Sequence, residues 1–320
     1  MPIAKTSTSI SFQPRDLSFL RDLFESRVMT STQAATLHFA GSKEAAKKRL
    51  QKLKAAGYVS ERKRRSTEPA VLFLTAKAFA HLRTSGVLAE YPSFSAAALE
   101  KRARVSELTL RHELEVMDVK ASFHQAVKKT ETLSIGEFTT WPALHQFEVS
   151  RNGYKETLVK PDGFIRVHEK ESDGTSEHTF FLEVDRSSET LDTLVSRAAC
   201  YLEYYRTGGF AEKNGAARSA FKEYPFRVLI ICKTVERRNN TALRLIQSNP
   251  PIFTQAYLTT VAESTATPFG AVWLTPAAYR DAVKGTRFDA TRTPVPQPYR
   301  SQPERESHVE RHASKCVLLS

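Results

Sequence analysis

The run Phe226-Arg-Val-Leu-Ile-Ile-Cys232 places six apolar side chains in seven positions. A strand with one wet face alternates apolar and polar residues, so this run belongs in a strand covered on both faces. The sequence around it fits that demand. A helical period from Leu108 to Phe123, carried by Leu110, Leu114, Met117, Ala121 and Phe123, precedes strand-like stretches at 133–138, 157–167 and 179–185. Asn152-Gly153 and Asp173-Gly174 read as hairpin turns. A longer helix follows at 188–206, with Leu191, Leu194, Val195, Ala198, Leu202 and Tyr205 on one face. The order helix, three strands, helix, strand, continued by a helix at 239–247 and strands at 253–260 and 270–274, predicts a mixed α/β domain over 108–288 with a central mixed sheet.

The N-terminal part has a different period. After an arm at 1–14, Leu17, Leu20, Leu23 and Phe24 mark an amphipathic helix. Thr30 or Ser31 can cap a second helix through Phe39, and Ser42 a third from Lys43 to Lys54 that Gly57 stops. Strand-like stretches at 58–62 and 70–74 complete three helices and a hairpin, the order of a winged helix, over residues 15–90. Residues 76–83 add a helix, and 91–107 read as a linker. From 289 to 320 the chain is rich in Pro, Arg, Ser and Glu with little periodicity, the composition of a disordered tail.

Charge points to a partner. Lys and Arg number 47 against 35 Asp and Glu, a formal net charge of +12, and residues 1–90 hold sixteen basic against seven acidic side chains. In the third helix Ala46, Leu50 and Leu53 face one way, which turns Lys47, Lys48, Gln51 and Lys52 outward. Such a face suits the DNA major groove, with the lysines on phosphates and Gln51 within reach of a base edge. Arg62, Lys63, Arg64 and Arg65 would ride on the wing. The bland alternative is a lysine-rich solvated helix beside a basic loop. Cys200, Cys232 and Cys316 form no CxxC pair and no disulfide framework, which fits a reducing cytoplasm. The sequence offers neither a membrane span nor a signal peptide, so a membrane partner is not expected. Nor does it contain a Gly-rich phosphate loop or a zinc-ligand spacing.

Three carboxylates could carry chemistry. Asp162, in Lys160-Pro161-Asp162-Gly163, lies about one strand before Glu183 and Asp185, which share a strand face by the period of two. Hairpin pairing would bring Asp162 to them. Hard oxygen ligands of this kind suit Mg²⁺ or Mn²⁺, which could orient a phosphodiester and activate water. On spacing alone the competing account is the favoured one: Asp162 as a turn residue, and Glu183 and Asp185 as partners of local arginines such as Arg186.

The segments Arg49-Leu50-x-x-Leu53 to Gly57-Tyr58-Val59, Leu74-Thr75, Arg111-His112-x-Leu114-x-Val116-x-Asp118, Lys160-Pro161-Asp162-Gly163 and Leu182-Glu183-Val184-Asp185-Arg186-Ser187-Ser188-Glu189 resemble, in that order, the replication-relaxation family of plasmid and mobile-element proteins. The resemblance implies an N-terminal winged helix, a C-terminal domain similar to the restriction-endonuclease-like nucleases, and a role in plasmid replication, relaxation or mobilisation. It also places the helix of His112 beside the nuclease sheet, which adds His112 to the candidate catalytic residues Asp162, Glu183, Asp185 and Arg197. In the nuclease pattern an acidic residue is followed on the next strand by Glu-x-Lys, and here Asp185 stands where the lysine should be. Lys160 or Arg197 could supply the missing positive charge, although Arg197 also reads as a surface arginine flanking the apolar stripe of its helix.

Two functions follow. The favoured one is a duplex-DNA-binding accessory protein whose second domain serves structure, homodimer formation or assembly with a relaxase or replication initiator. The alternative is a Mg²⁺- or Mn²⁺-dependent DNA endonuclease or nickase targeted by the winged helix. Nicking of supercoiled plasmid separates the two.

Overall fold

The computed structural model describes residues 10–62, 68–92, 95–103, 106–150, 156–285 and 302–319. The chain divides into two compact units: residues 1–125 with 139–144, and residues 126–138 with 145–320.

The first unit begins with α1 (Pro14–Ser26), which buries Phe19, Leu20, Leu23 and Phe24 as its spacing demands. Pro14 sits in the first turn, where a missing N–H costs nothing. A short strand β1 (Met29–Thr30) leads into α2 (Ser31–His38). Here Thr30 Oγ1 accepts the Gln33 N–H at 3.1 Å and Gln33 Oε1 accepts the Thr30 N–H at 2.8 Å, a reciprocal cap. Helix α3 (Lys43–Ala55) starts on Ser42, whose hydroxyl accepts the Ala45 N–H, and ends at Gly57, whose φ of +76° favours glycine. Strands β2 (Val59–Glu61) and β3 (Val71–Leu74) pair antiparallel, and β1 joins the other side of β3, giving the order β1-β3-β2. Helices α4 (Ala76–Thr84), α5 (Ala96–Ala103) and α6 (Glu107–Val127) follow.

The stretch expected to be a linker, 91–107, and the domain start expected at 108 both fall within this first unit. Leu99 of α5 is buried in its core, and the Arg102 guanidinium donates to the Phe24 and Glu25 carbonyls at 2.9 Å each. Met117 of α6 is in the same core, and the Lys120 ammonium is buried 3.1 Å from Asp22. Gln33 Nε2 donates to the Leu114 carbonyl at 2.9 Å and to Asp118 Oδ1 at 2.7 Å. A period of 3.6 identifies a helix but not the unit whose core it completes, so the boundary could not be read from the pattern.

The second unit is mixed α/β. Strand β4 (Leu133–Thr139), whose last residue Thr139 belongs to the first unit, is followed by α7 (Pro142–His145), of which only His145 belongs to the second. Next come the two-stranded pair β5 (Phe147–Val149) and β6 (Thr157–Val159), and then the hairpin β7 (Gly163–Lys170) and β8 (Thr175–Asp185). Helix α8 (Leu191–Arg206), the short α9 (Gly209–Lys213), β9 (Arg227–Cys232), α10 (Val235–Gln247), β10 (Ala256–Thr260), α11 (Val261–Ala266), α12 (Pro276–Gly285) and α13 (Gln302–His312) complete it. The central sheet has the order β10-β9-β8-β7-β4, with β7 and β8 antiparallel and β8, β9 and β10 parallel. Strand β9 occupies the interior position its apolar run requires, with Leu229 to Cys232 fully buried. Its aromatic core joins Phe164 and Phe181 of the hairpin to Phe147, Tyr201, Phe210 and Phe226.

Three details differ from the sequence reading. The expected strand 157–167 is two strands in two sheets, because Lys160-Pro161-Asp162 separates them and Pro161 has no N–H to offer a ladder. Residues 270–274 contribute only isolated bridges, Leu274 to Leu258 and Trp273 to Cys316. The packed chain also extends beyond 288: Val309 of α13 and Leu318 are fully buried, and Cys316 exchanges backbone hydrogen bonds with Trp273. The Asn152-Gly153 turn and residues 286–301 lie outside the described residues, whereas the Asp173-Gly174 turn closes β7 and β8 with a Glu171 N–H to Gly174 carbonyl bond.

Candidate functional site

Two surfaces carry the sequence candidates. On α3, Ala46, Leu50 and Leu53 are buried while Lys47, Lys48, Gln51 and Lys52 are exposed, so the two faces are the expected ones. Arg49, between them, is a structural residue: its guanidinium holds the fully buried Asp16 of α1 at 2.5 and 2.9 Å, fixing α3 against α1. Lys48 lies 3.5 Å from Glu44 across one turn, a solvated pair of little energetic weight. An open groove of about 400 Å³ runs beside this face, lined among others by Ser31, Thr32, Lys43, Lys47, Gln51 and Lys54. Arg62 is exposed and pairs with Glu107 at 3.3 Å. Lys63, Arg64 and Arg65 lie outside the described residues.

The carboxylates gather at the end of the β7–β8 hairpin. The ladder pairs Gly163 with Leu182, so Asp162 stands one residue beyond it, next to Glu183. Its N–H donates to the Leu182 carbonyl at 3.0 Å, and its Oδ2 accepts the Val184 N–H at 2.8 Å. The side chain thus takes a place in the strand pairing that Pro161 interrupts. Glu183, 2% exposed, receives Arg197 Nη1 of α8 on Oε2 at 2.7 Å and the Tyr201 hydroxyl on Oε1 at 2.6 Å. Asp185 receives Arg237 of α10 through Nε at 2.6 Å and Nη2 at 3.2 Å, and also accepts the Ser187 N–H at 2.9 Å. Glu189 ties the two arginines together: its carboxylate accepts both bonds of Arg197 Nη2 at 2.9 Å, and its carbonyl accepts Arg237 Nη2 at 2.7 Å.

The electrostatics follow from burial. Removal from water pushes the Glu183 carboxyl up to about 7, with the neighbouring Asp162 charge adding to the rise against the pull of Arg197 and Tyr201. The same Glu183 charge holds the Arg197 guanidinium still more firmly protonated. Burial, with Glu183 beside it, raises the Tyr201 phenol, so Tyr201 is a donor at neutral pH.

The structure therefore brings Asp162, Glu183 and Arg197 together and sets Asp185 beside them on the same strand, but under its own arginine. His112 lies half-buried on the part of α6 that belongs to the first unit. Lys160 is exposed on the segment between β6 and β7. Sequence reasoning missed Tyr201, Glu189 and Arg237. Tyr201 follows Arg197 by one helical turn, so the α8 stripe contained a signal for it. Arg237 is 52 residues from Asp185 and had none.

As arranged, the three-carboxylate set does not fit a divalent cation. Both Glu183 oxygens and both Asp185 oxygens already accept hydrogen bonds, and among the described residues no three His, Cys, Asp or Glu side chains are grouped to hold a metal ion.

A second polar group sits at β4 and α7. His145 Nε2 is 2.8 Å from Glu137, and its ring stacks on Phe164 at 3.7 Å. Burial pushes His145 below the usual imidazole range, so it is neutral at pH 7.

A helical unit with a small antiparallel sheet and a lysine-rich helix face, joined to a mixed α/β unit with acidic residues at its strand ends, defines a two-unit mixed α/β protein. The sequence model of the replication-relaxation family matches residues 20–218, and the chain belongs to that family. No curated protein matches it. A solved structure of the restriction endonuclease FokI is similar at 15% identity over 79% of this chain, with a TM-score of 0.27. The match covers 42% of that protein, so this chain spans less than half of its length. Among the described residues no helix is long and apolar enough to cross a membrane.

Proposed function

We propose that the protein is a duplex-DNA-binding accessory protein of plasmid or mobile-element replication or relaxation. Its first unit is read as a winged helix, from the order α1-β1-α2-α3-β2-β3 and the sheet order β1-β3-β2. The observation that carries the reading is the outward face of α3. Lys47, Lys48, Gln51 and Lys52 are exposed together on a helix whose opposite face is anchored by Ala46, Leu50 and Leu53. Lysines so placed meet phosphates, and Gln51 meets a base edge.

The second unit then serves structure, self-association or assembly with a relaxase or replication initiator. The engagement of Glu183 and Asp185 by arginines supports this over DNA cleavage, because a carboxylate committed to a guanidinium has less to give a metal ion.

Titration of labelled duplex with the full chain at several salt concentrations tests the DNA reading. Replacing Lys47, Lys48 or Lys52 by Ala should weaken binding to all sequences and flatten the logarithmic salt slope by about 0.9 for each true phosphate contact. Gln51→Ala should chiefly change sequence preference. No binding to any duplex at low salt would end this reading.

A further inference from the structure

We infer that the cavity at the starting ends of β8, β9 and β10 is a nucleotide site. It takes an adenine nucleoside monophosphate, with Gln255 reading the base edge and Arg227 holding the phosphate. The site lies in the second unit alone, at the opposite end of the parallel strands from Glu183 and Asp185, and stands or falls independently of DNA binding by the first unit.

The cavity is open and holds about 450 Å³, within the span of about 300–1,000 Å³ usual for small-molecule sites. One wall is apolar: Leu202 and Tyr205 of α8 stand beside Phe226, whose ring meets that of Tyr205 edge-on at 5.8 Å. The other wall is polar. Phe226 and Val228 belong to the aromatic core, so Arg227 between them points to the opposite face of the sheet, where its guanidinium lies 5.1 Å from the Tyr257 ring. Arg227 and Gln255 stand one step before Val228 and Ala256, the first pair of the β9–β10 ladder. The Gln255 carbonyl accepts the Val228 N–H at 2.8 Å, which keeps the two side chains neighbours.

Two groups of this wall have unspent capacity. The Gln255 amide is shielded from solvent, yet neither its nitrogen nor its oxygen has a hydrogen-bond partner. Such a group is costly to bury, and having no bond to break it turns into the cavity at the expense of a rotamer alone. Arg227 has no carboxylate partner among the described residues, whereas the other charged groups of the lining are taken: Glu177 by Arg166 at 2.8 Å and His178 by Glu169 at 3.0 Å. A primary amide sets one donor beside one acceptor, the complement of adenine N7 and N6. Guanine offers two acceptors on that edge, N7 and O6, and leaves the amide oxygen opposed by another oxygen. A guanidinium suits a phosphate, and half-buried Tyr205 gives the base a ring to pack on.

Calorimetric titration of the full chain with adenosine monophosphate, guanosine monophosphate and adenosine tests the inference. The wild-type chain should bind adenosine monophosphate, and guanosine monophosphate about tenfold or more less tightly. Gln255→Leu should melt no lower than wild type, because it removes an unpaired amide, and should lose both about tenfold or more in affinity and the preference between the two bases. Arg227→Met should weaken adenosine monophosphate but leave adenosine, which has no phosphate, unaffected. Absence of adenosine monophosphate binding by the wild-type chain at millimolar concentration would overturn the inference. Equal binding of the two nucleotides would do the same, since phosphates drawn to the lysines of α3 make no such distinction, and this comparison needs no variant to fold. A Gln255→Leu chain that binds like wild type would also end it.

Discussion

Glu183 meets water at 2% of its surface and carries neighbours of both signs, so its ionisation is coupled to the stability of the whole second unit. Its folded-state value of about 7 lies above the ordinary 4.5. For a group shifted upward, the folded state binds the proton more tightly than the unfolded one. The resulting stabilisation is complete below the ordinary value and is lost as pH rises through the folded value. Other carboxylates move the opposite way, Glu263 and Glu310 among them, so the effect must be read as a difference. Between pH about 4.5 and 7 the stability of wild type relative to Glu183→Gln should fall by up to a few kcal/mol, measured as urea midpoints at each pH. A difference independent of pH would show that Glu183 is ionised throughout.

Among the elements, α13 shows how much can hang on a segment that looks unstructured. Its sequence is polar, yet Val309 is fully buried, as is Leu318 beyond it. Glu310 pairs with the fully buried Arg238 of α10, and Lys315 reaches Glu263 at 2.5 Å and Glu310 at 2.8 Å. Deleting residues 302–320 should lower the stability of the second unit by roughly 3–6 kcal/mol from the two apolar side chains alone, with a further loss as Arg238 forfeits one of its two carboxylates. Denaturant unfolding of the truncated chain checks this.

The same element explains what the sequence could and could not disclose. Periodicity located α1, α3, α8 and β9 because each buries a stripe or a run that repeats along its own length. Among the described residues of α13 only Val309 is buried, punctuating a charged sequence, and the helix's stabilising partners lie far away in the chain. Asp162, Glu183 and Arg197 were legible because hairpin pairing and one helix follow from local pattern. Arg237 and Glu189 were not, since they reach the site through tertiary packing.

For the molecule as a whole, the first unit requires residues well beyond the ninety that its helix-and-hairpin pattern suggests. Asp22 and Glu25 of α1 are both buried, and Lys120 of α6 lies 3.1 and 3.9 Å from them. A fragment ending at 90 leaves those carboxylates without their ammonium, which costs about 3–5 kcal/mol when a buried pair is broken, and also removes Leu99 and Met117 from the core. Residues 10–127 should therefore melt cooperatively at a clearly higher temperature than residues 10–90 when followed by circular dichroism. Equal melting temperatures would place α6 outside the folding unit.

Gln33 gives this dependence a particular form. Its carbonyl oxygen completes the start of α2 on Thr30, and its amide nitrogen holds the Leu114 carbonyl and Asp118 in the middle of α6. One side chain is thus both the first rung of one helix and the bracket of another. A change of pitch or position at the head of α2, the helix just ahead of the lysine face, cannot stay local: it either drags α6 with it or surrenders both hydrogen bonds to α6 at once.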